Sequence, residues 1–509
     1  MNVGVQSSAR IVLRAREAPA EGNAVFMPPA LAVEPSPASK GASALKISES
    51  ASAWLLIGTL AWAQFPLGSN RPWSWSLLVL LISAAWLLWL PRAISAPQKL
   101  WRHARPVLVP AGILVLVLIW AALQTVPWSP ASLHNGIWQI LPRSVASQGA
   151  ISVNPYESAT EAMKLASFVL AGALTYFLSR REERARRFYL AIVAIGFFYA
   201  AYGLYLVAVG SSQLHVLTGN VSPYGAAVSG GFVSRNSFAT FDSMTLVVCA
   251  SLIADNSART VSISRGLRRF LQTLVTFLIG GGAVLIVAAS VMFAALLLSD
   301  SRAGVIACFA GLLLLFGLAL VVSRRRGLAR AGIVAGLCAL SVLSLIFLLS
   351  GDTIAARFDQ LVETRGSEEL RPVMWGAALH AIEANPGAGS GLGTFHDVYP
   401  LYADRFVPYE VDRVHSDYLE FALGLGIPMA ALWIIALAAL VIRCGVGVLK
   451  RRRRQFYPLA AIGAAAVIAV HSLFDFSLQM PAVALLFAVV LGAGSAQAAP
   501  TSMPDGADA

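Results

Sequence analysis

The stretch TLVTFLIGGGAVLIVAASVMFAALLLSDSRAGVIACFAGLLLLFGLALVVSRRR, Thr273–Arg326, fixes the fold class. Two long apolar runs, 273–298 and 304–322, are parted only by a short polar turn around Ser299-Asp300-Ser301-Arg302, and an arginine triplet closes the second. A bilayer core asks for about 20 apolar residues per helix. Lipid offers the backbone no hydrogen-bond partner, so runs of this kind are read as helices. The stretch is therefore a hairpin of two membrane helices.

The pattern recurs on both sides of this hairpin, near 52–67, 74–91, 107–126, 163–179, 188–209, 238–254, 331–349, 418–442, 456–472 and 481–497. That gives about twelve spans, of which the shorter ones, such as 456–472, carry the weakest signal. The composition agrees: 57% of the 509 residues are hydrophobic and 13% charged, where soluble domains carry about 25% charge. A cytosolic enzyme is excluded, and so is disorder over most of the chain. Cys249, Cys308 and Cys338 lie inside apolar runs and Cys444 at the edge of one, so no disulfide framework is legible. The fold class is all-α, a polytopic integral membrane protein.

Net charge is +12, and its distribution gives the orientation. Alternate connections hold the basic clusters: Arg92 to Arg105, Arg180 to Arg187, Arg259 to Arg269, Arg324 to Arg330, and Arg443 to Arg454. With the N-terminal tail they account for 28 of the 38 Lys and Arg residues. The positive-inside rule makes that face cytoplasmic, so nucleic acid is not needed to explain the charge. Residues 1–50 lack a compact apolar segment, carry Pro28, Pro29, Pro35 and Pro37, and read as a disordered cytoplasmic tail rather than a signal peptide.

Ten basic residues fall on the other face: Arg71, Arg143, Lys164, Arg235, Arg302, Arg357, Arg365, Arg371, Arg405 and Arg413. Nine are arginine, the side chain suited to bidentate phosphate binding, which hints at an anionic, phosphate-bearing ligand. Two stretches on that face are long enough to fold, about 127–162 and 350–417. In the second, RPVMWGAALHAIEANP reads as a helix opened by Arg371-Pro372 and stopped at Asn385-Pro386. Its expected apolar face runs through Val373, Trp375, Ala378, Leu379 and Ile382. The turn GAGSGLGTF, Gly387–Phe395, is either a flexible turn or a phosphate cradle of backbone N–H groups. It follows a helix and lacks the P-loop lysine, so a nucleotide fold is excluded.

Individual polar residues admit two readings each. His415, just before the span at 418–442, is a solvated boundary residue or a general base, since an imidazole titrates near neutrality. Arg302 either ends a helix by reaching for the interface or serves a ligand from deeper placement. Arg235 opens the span at 238–254, with Asn236 or Ser237 as candidate caps. Glu410 and Asp412 offer fewer oxygens than a hard cation usually takes. Asp242, inside a span, is expected to be paired or pore-facing. His471 and Asp475 flank the last outer turn and carry no signal beyond a helix end.

Taken in order, GGFVSRN, SDSRAG, RPVMWGAALHAIEANPGAGSGLGTFHDVYP and HSDYLEFALGLGIP resemble the O-antigen ligase/polymerase family. These are bacterial membrane glycosyltransferases acting on undecaprenyl-diphosphate-linked glycans. The resemblance covers about 225–495 and implies a GT-C-like architecture with a large periplasmic loop containing helices. The family signature His-[Asn/Ser/Gln]-x9-Gly-x-x-[Gly/Thr/Tyr] falls on His415, Ser416 and Gly426, while Met429 departs from its last position. It implies His415 as the base on the acceptor hydroxyl and Arg302 and Arg371 on the donor diphosphate. Arg235 and Asp475 align less securely. It also implies an undecaprenyl-diphosphate-linked donor, lipid A core or a growing glycan as acceptor, the inner membrane as location, and no cofactor.

The chemistry suits this inventory. A diphosphate leaves as a stable anion, so a glycosidase-style carboxylate pair is unnecessary. A base for the hydroxyl and cations for the growing charge suffice, without a metal, and direct attack would invert the anomeric centre. Three functions are weighed: a ligase moving finished glycan to lipid A core, a polymerase extending it on its carrier, and a transporter. The transporter predicts broken helices in matching halves, whereas this chain is asymmetric. The expected domain plan is a tail at 1–50, N-terminal spans at 51–220, a ligase/polymerase-like core at 221–497 with the loop 350–417, and a tail at 498–509.

Overall fold

A computed structural model describes residues 37–142, 149–211, 227–260, 267–323, 370–404, 411–451 and 455–499. The span expected at 331–349, the first part of the loop 350–417, and Arg143, Arg357, Arg365, Arg405 and Glu410 lie outside them. The chain divides into a short unit, Met1–Ala44, and a larger one, Leu45–Ala509, which contains the helix bundle.

Among the described residues all regular structure is helical. The chain runs through α1 (Pro37–Gln64), α2 (Pro72–Ser95), α3 (Pro97–Ala104), α4 (Leu108–Leu123), α5 (Ile137–Ile140), α6 (Pro155–Leu178) and α7 (Glu182–Ala208). It continues through α8 (Arg235–Thr260), α9 (Leu267–Phe277), α10 (Ala283–Leu297) and α11 (Arg302–Ser323). Then come α12 (Arg371–Ala384), α13 (Phe395–Tyr402), α14 (Asp417–Leu425), α15 (Ile427–Lys450), α16 (Phe456–His471) and α17 (Pro481–Ala496).

Eight helical segments among the described residues are long and apolar enough to cross a membrane. Two more apolar helices, α16 and α17, are 16 residues each. Large apolar side chains stay open on the outer helices: Leu87 is 68% exposed, Leu313 76% and Ile442 65%. Water would not tolerate a belt of that size, and lipid favours it. α8 is the opposite case, buried along its entire apolar span, and α17 is buried almost throughout. Such helices meet protein rather than lipid, so length and hydropathy constrain them less.

Small residues let the inner helices touch backbone to backbone. A Cβ on Gly463 would meet the Gly311 carbonyl at 3.0 Å. A Cβ on Gly492 of α17 would come closer still to the Gly172 carbonyl of α6. Arg92, Lys99, Arg180 and Arg181 meet around one cleft. Arg235 and Arg302 open α8 and α11, and Arg371 opens α12.

Candidate active site

His415 lies in the link between residue 411 and α14, 30% of its side chain exposed. Its backbone is left-handed, φ 58°, which costs an L-residue about 1–2 kcal/mol. The neighbours impose that conformation. The Val414 N–H donates to Glu420 Oε2 at 2.9 Å, and the Ser416 hydroxyl donates to the Ser472 carbonyl at 3.2 Å. The Asp417 N–H is shared between the carbonyls of Ser472 (3.0 Å) and Asp475 (3.2 Å). Strain held this firmly is a recurrent mark of functional positions.

The same anchoring brings the turn after α16 against His415. Its Nδ1 lies 3.3 Å from Asp475 Oδ1, and the Asp475 side chain is 1% exposed. The Phe476 ring meets the imidazole edge-on at 4.9 Å. Asp475 Oδ1 also accepts the Phe476 N–H at 2.9 Å. Burial pushes the Asp475 carboxyl up, but His415, the charge of His471 and the Phe476 N–H outweigh it and hold it below the usual carboxylate range. Asp475 is thus a buried carboxylate beside His415 Nδ1, held toward its ionised form.

His471, fully buried at the end of α16, continues the cluster. Its Nδ1 shares a hydrogen bond with Ser477 Oγ at 2.9 Å, and that hydroxyl shares another with Thr240 Oγ1 of α8, also 2.9 Å. The charges of Asp475 and Arg371 both reach His471. Arg371 opens α12 with Pro372 in the first turn, and α12 ends with Asn385 as its C-cap, as the sequence indicates. The structure therefore gathers His415, Asp475 and His471, and the charge of Arg371 reaches His471.

Arg235 and Arg302 form a second group at the same end. They open α8 and α11, and Arg235 Nη1 lies 4.0 Å from Asp300 Oδ2, two residues before Arg302. The cap of α8 is Ser234, whose hydroxyl accepts the Ser237 N–H at 3.4 Å, not Asn236 or Ser237. The His471–Ser477–Thr240 chain joins the two groups, because Thr240 lies one turn into α8 and donates to the Asn236 carbonyl at 3.0 Å.

Four sequence expectations are corrected. The buried face of α12 is Met374, Ala377, Ala378, Ala381 and Ile382, while Leu379 is 47% exposed. Alanines make it up because α13 and α14 pack closely there. In the Gly387–Phe395 turn the N–H groups of Gly389, Ser390 and Gly391 are bonded to carbonyls, which leaves them unavailable to cradle an anion. Ser390 donates to the Leu423 carbonyl at 2.8 Å and Gly391 to the Gly424 carbonyl at 2.9 Å. Two of the outer cations are structural. Lys164 Nζ and Arg413 Nη2 converge on Glu161 Oε1 at 3.0 and 3.1 Å, and Arg413 Nη1 also faces Glu420 at 3.6 Å. Finally, Asp242 is neither paired nor pore-facing: it is 1% exposed, and neither carboxylate oxygen has a hydrogen-bond partner among the described residues.

Asp417 escaped the sequence reading. Buried at the start of α14, it accepts the Ser472 hydroxyl at 2.7 Å and the Leu478 N–H at 3.0 Å. Burial outweighs these donors and pushes its carboxyl up to about 7. The only signal was its place two residues after His415. Among the described residues no three His, Cys, Asp or Glu side chains gather as a metal would require.

Residues 287–434 match the O-Antigen ligase family. The match begins in α10, ends in α15 and takes in Arg302, Arg371, His415 and Gly426; Arg235 and Asp475 fall outside it. No curated protein matches the chain.

Proposed function

We propose that this chain, whose residues 287–434 match the O-antigen ligase family, transfers a glycan from undecaprenyl diphosphate to an acceptor hydroxyl on the periplasmic side of the inner membrane. The acceptor is lipid A core. The observation that carries the reading is the pairing of a half-open imidazole, His415, with an ionised, 1% exposed carboxylate, Asp475.

A carboxylate beside Nδ1 favours the tautomer with hydrogen on Nδ1, leaving the Nε2 lone pair for chemistry. Nε2 takes the proton of the acceptor hydroxyl as its oxygen bonds the anomeric carbon. The bond from that carbon to the diphosphate breaks, and the electron pair leaves with phosphate. Attack opposite the leaving group inverts the centre. Asp475 stabilises the imidazolium that forms. Arg371 and Arg302, with Arg235 beside Asp300, meet the charge growing on the diphosphate, the part a divalent cation would otherwise play.

The donor also needs an apolar bed. A cavity of about 310 Å³ runs between α4, α6, α15 and α17, with Phe421 and Leu478 at the site end and Leu165, Phe168 and Trp433 along its walls. Leu478, which lines the groove, is the residue whose N–H bonds Asp417, two residues after His415. The polyprenyl tail is assigned to the groove.

Deleting the gene and examining both lipopolysaccharide and the undecaprenyl-linked pool tests the reading. Ligase loss strands long polymer on the carrier and leaves lipid A core bare. Single repeat units in the pool would identify a polymerase instead, and an unchanged pool with intact lipopolysaccharide would remove the glycan assignment.

A further inference from the structure

We propose that the opposite end of the bundle holds a second ligand site, a cleft that binds the headgroup of an anionic phospholipid. The cleft, about 100 Å³, lies between α1, α2, α3, α6 and the turn into α7. Arg92, Lys99, Arg180 and Arg181 line it, with Glu49 and His103. Glu49 is already engaged by Arg184 and approached by Arg92 Nε at 3.9 Å. Among the described residues lining the cleft, Arg92, Arg180 and Arg181 face one carboxylate, Glu49, that Arg184 already engages, an excess suited to a phosphodiester.

The cleft is built rather than incidental. Arg180 is fixed by donating from Nη1 to the Ala496 carbonyl at 3.1 Å and by lying over the Tyr176 ring at 5.7 Å. The Tyr176 hydroxyl donates to the His103 carbonyl at 2.7 Å, pinning α3 against α6. The apolar wall is Trp89 stacked on Phe177, ring centres 5.0 Å apart.

Phe177 identifies the class of ligand, because it lines both this cleft and the apolar groove. A molecule with an anionic head and hydrocarbon chains uses both; a soluble phosphate uses the cations and leaves the apolar wall idle. The surroundings match a bilayer surface. α3 buries none of its side chains, and Trp101 on it is 60% exposed, the placement of an interfacial aromatic anchor. Leu90 and Ile94, 44% and 68% exposed, give a second acyl chain its bed. Basic pockets between membrane helices on the cytoplasmic side are suited to anionic lipid headgroups, and this is the end that the arginine distribution makes cytoplasmic. The acyl chain enters the groove at its Phe177 end, away from the Phe421 and Leu478 end given to the polyprenyl tail.

Native mass spectrometry of the full chain in detergent tests this, with phosphatidylglycerol and phosphatidylcholine of identical acyl chains as probes. The wild type is expected to retain phosphatidylglycerol in preference, one molecule per chain. Lys99→Gln and Arg181→Gln are each expected to weaken that retention about fivefold, as one cation near an anionic surface contributes, without altering phosphatidylcholine. Millimolar inorganic phosphate should not displace the lipid. Equal retention of the two lipids, an unchanged preference in both variants, or displacement by phosphate would overturn the proposal. The lipid comparison on wild type stands even where a variant fails to fold.

Discussion

His415 occupies a conformation that an L-residue adopts at a cost, and hydrogen bonds on both sides of it hold it there. The sequence marked this residue through its motif, but not the backbone that aims it. The arginines can be argued the same way. If Arg302 and Arg371 contact the diphosphate, Arg302→Ala and Arg371→Ala should each weaken donor binding about 10–100-fold, the range of a hydrogen bond to a charged group, and lower turnover as well. Unchanged donor titrations and kinetics in both variants would sink the diphosphate assignment. Asp417 carries a pH signature. Its carboxyl is raised from 3.8 to about 7 on folding, so the folded chain holds the proton more tightly and stability falls as pH rises through that window. Asp417→Asn should match the wild type near pH 4 and unfold at a higher temperature than it at pH 8. An equal gap at both pH values would show that Asp417 does not titrate there.

Among the elements, the break between α14 and α15 positions the site. Gly426 has φ 79°, and a side chain there would meet the Gly387 carbonyl and the Gly389 N. That contact locks the glycine turn against the helix break and sets the direction in which α14 presents its first turn. Gly426→Ala is expected to cost about 1–3 kcal/mol and to lower the yield of folded protein, read as a loss of the monodisperse fraction in size-exclusion chromatography. Wild-type yield and melting temperature would contradict the role. The bounds of α12 were legible because Arg371-Pro372 and Asn385-Pro386 are local signals. Its buried face was not, since alanines at 377, 378 and 381 gain burial only from the partners packed on them. The anchoring of the glycine turn was illegible for the same reason: the carbonyls that Ser390 and Gly391 bond lie more than thirty residues away, at Leu423 and Gly424.

Over the full bundle, charge sorting was the most legible property. Among the described residues, Arg92, Lys99, Arg180 and Arg181 line one cleft, apart from the His415, Asp475 and His471 group. Less legible was which outer cations serve a ligand. Composition made Lys164 and Arg413 equivalent to Arg371, but Glu161 and Glu420 neutralise both and turn them into a clamp between α6 and α14. The buried helices α8, α16 and α17 blurred the span count, because a helix surrounded by protein need not match the bilayer. Base catalysis of glycan transfer by His415 is the proposal on which the rest depends. It is tested by transfer from purified undecaprenyl-diphosphate glycan to lipid A core with wild type and His415→Ala. The variant is expected to lose about 10²–10⁴-fold in turnover while binding donor as tightly as the wild type; turnover at the wild-type rate would contradict the proposal.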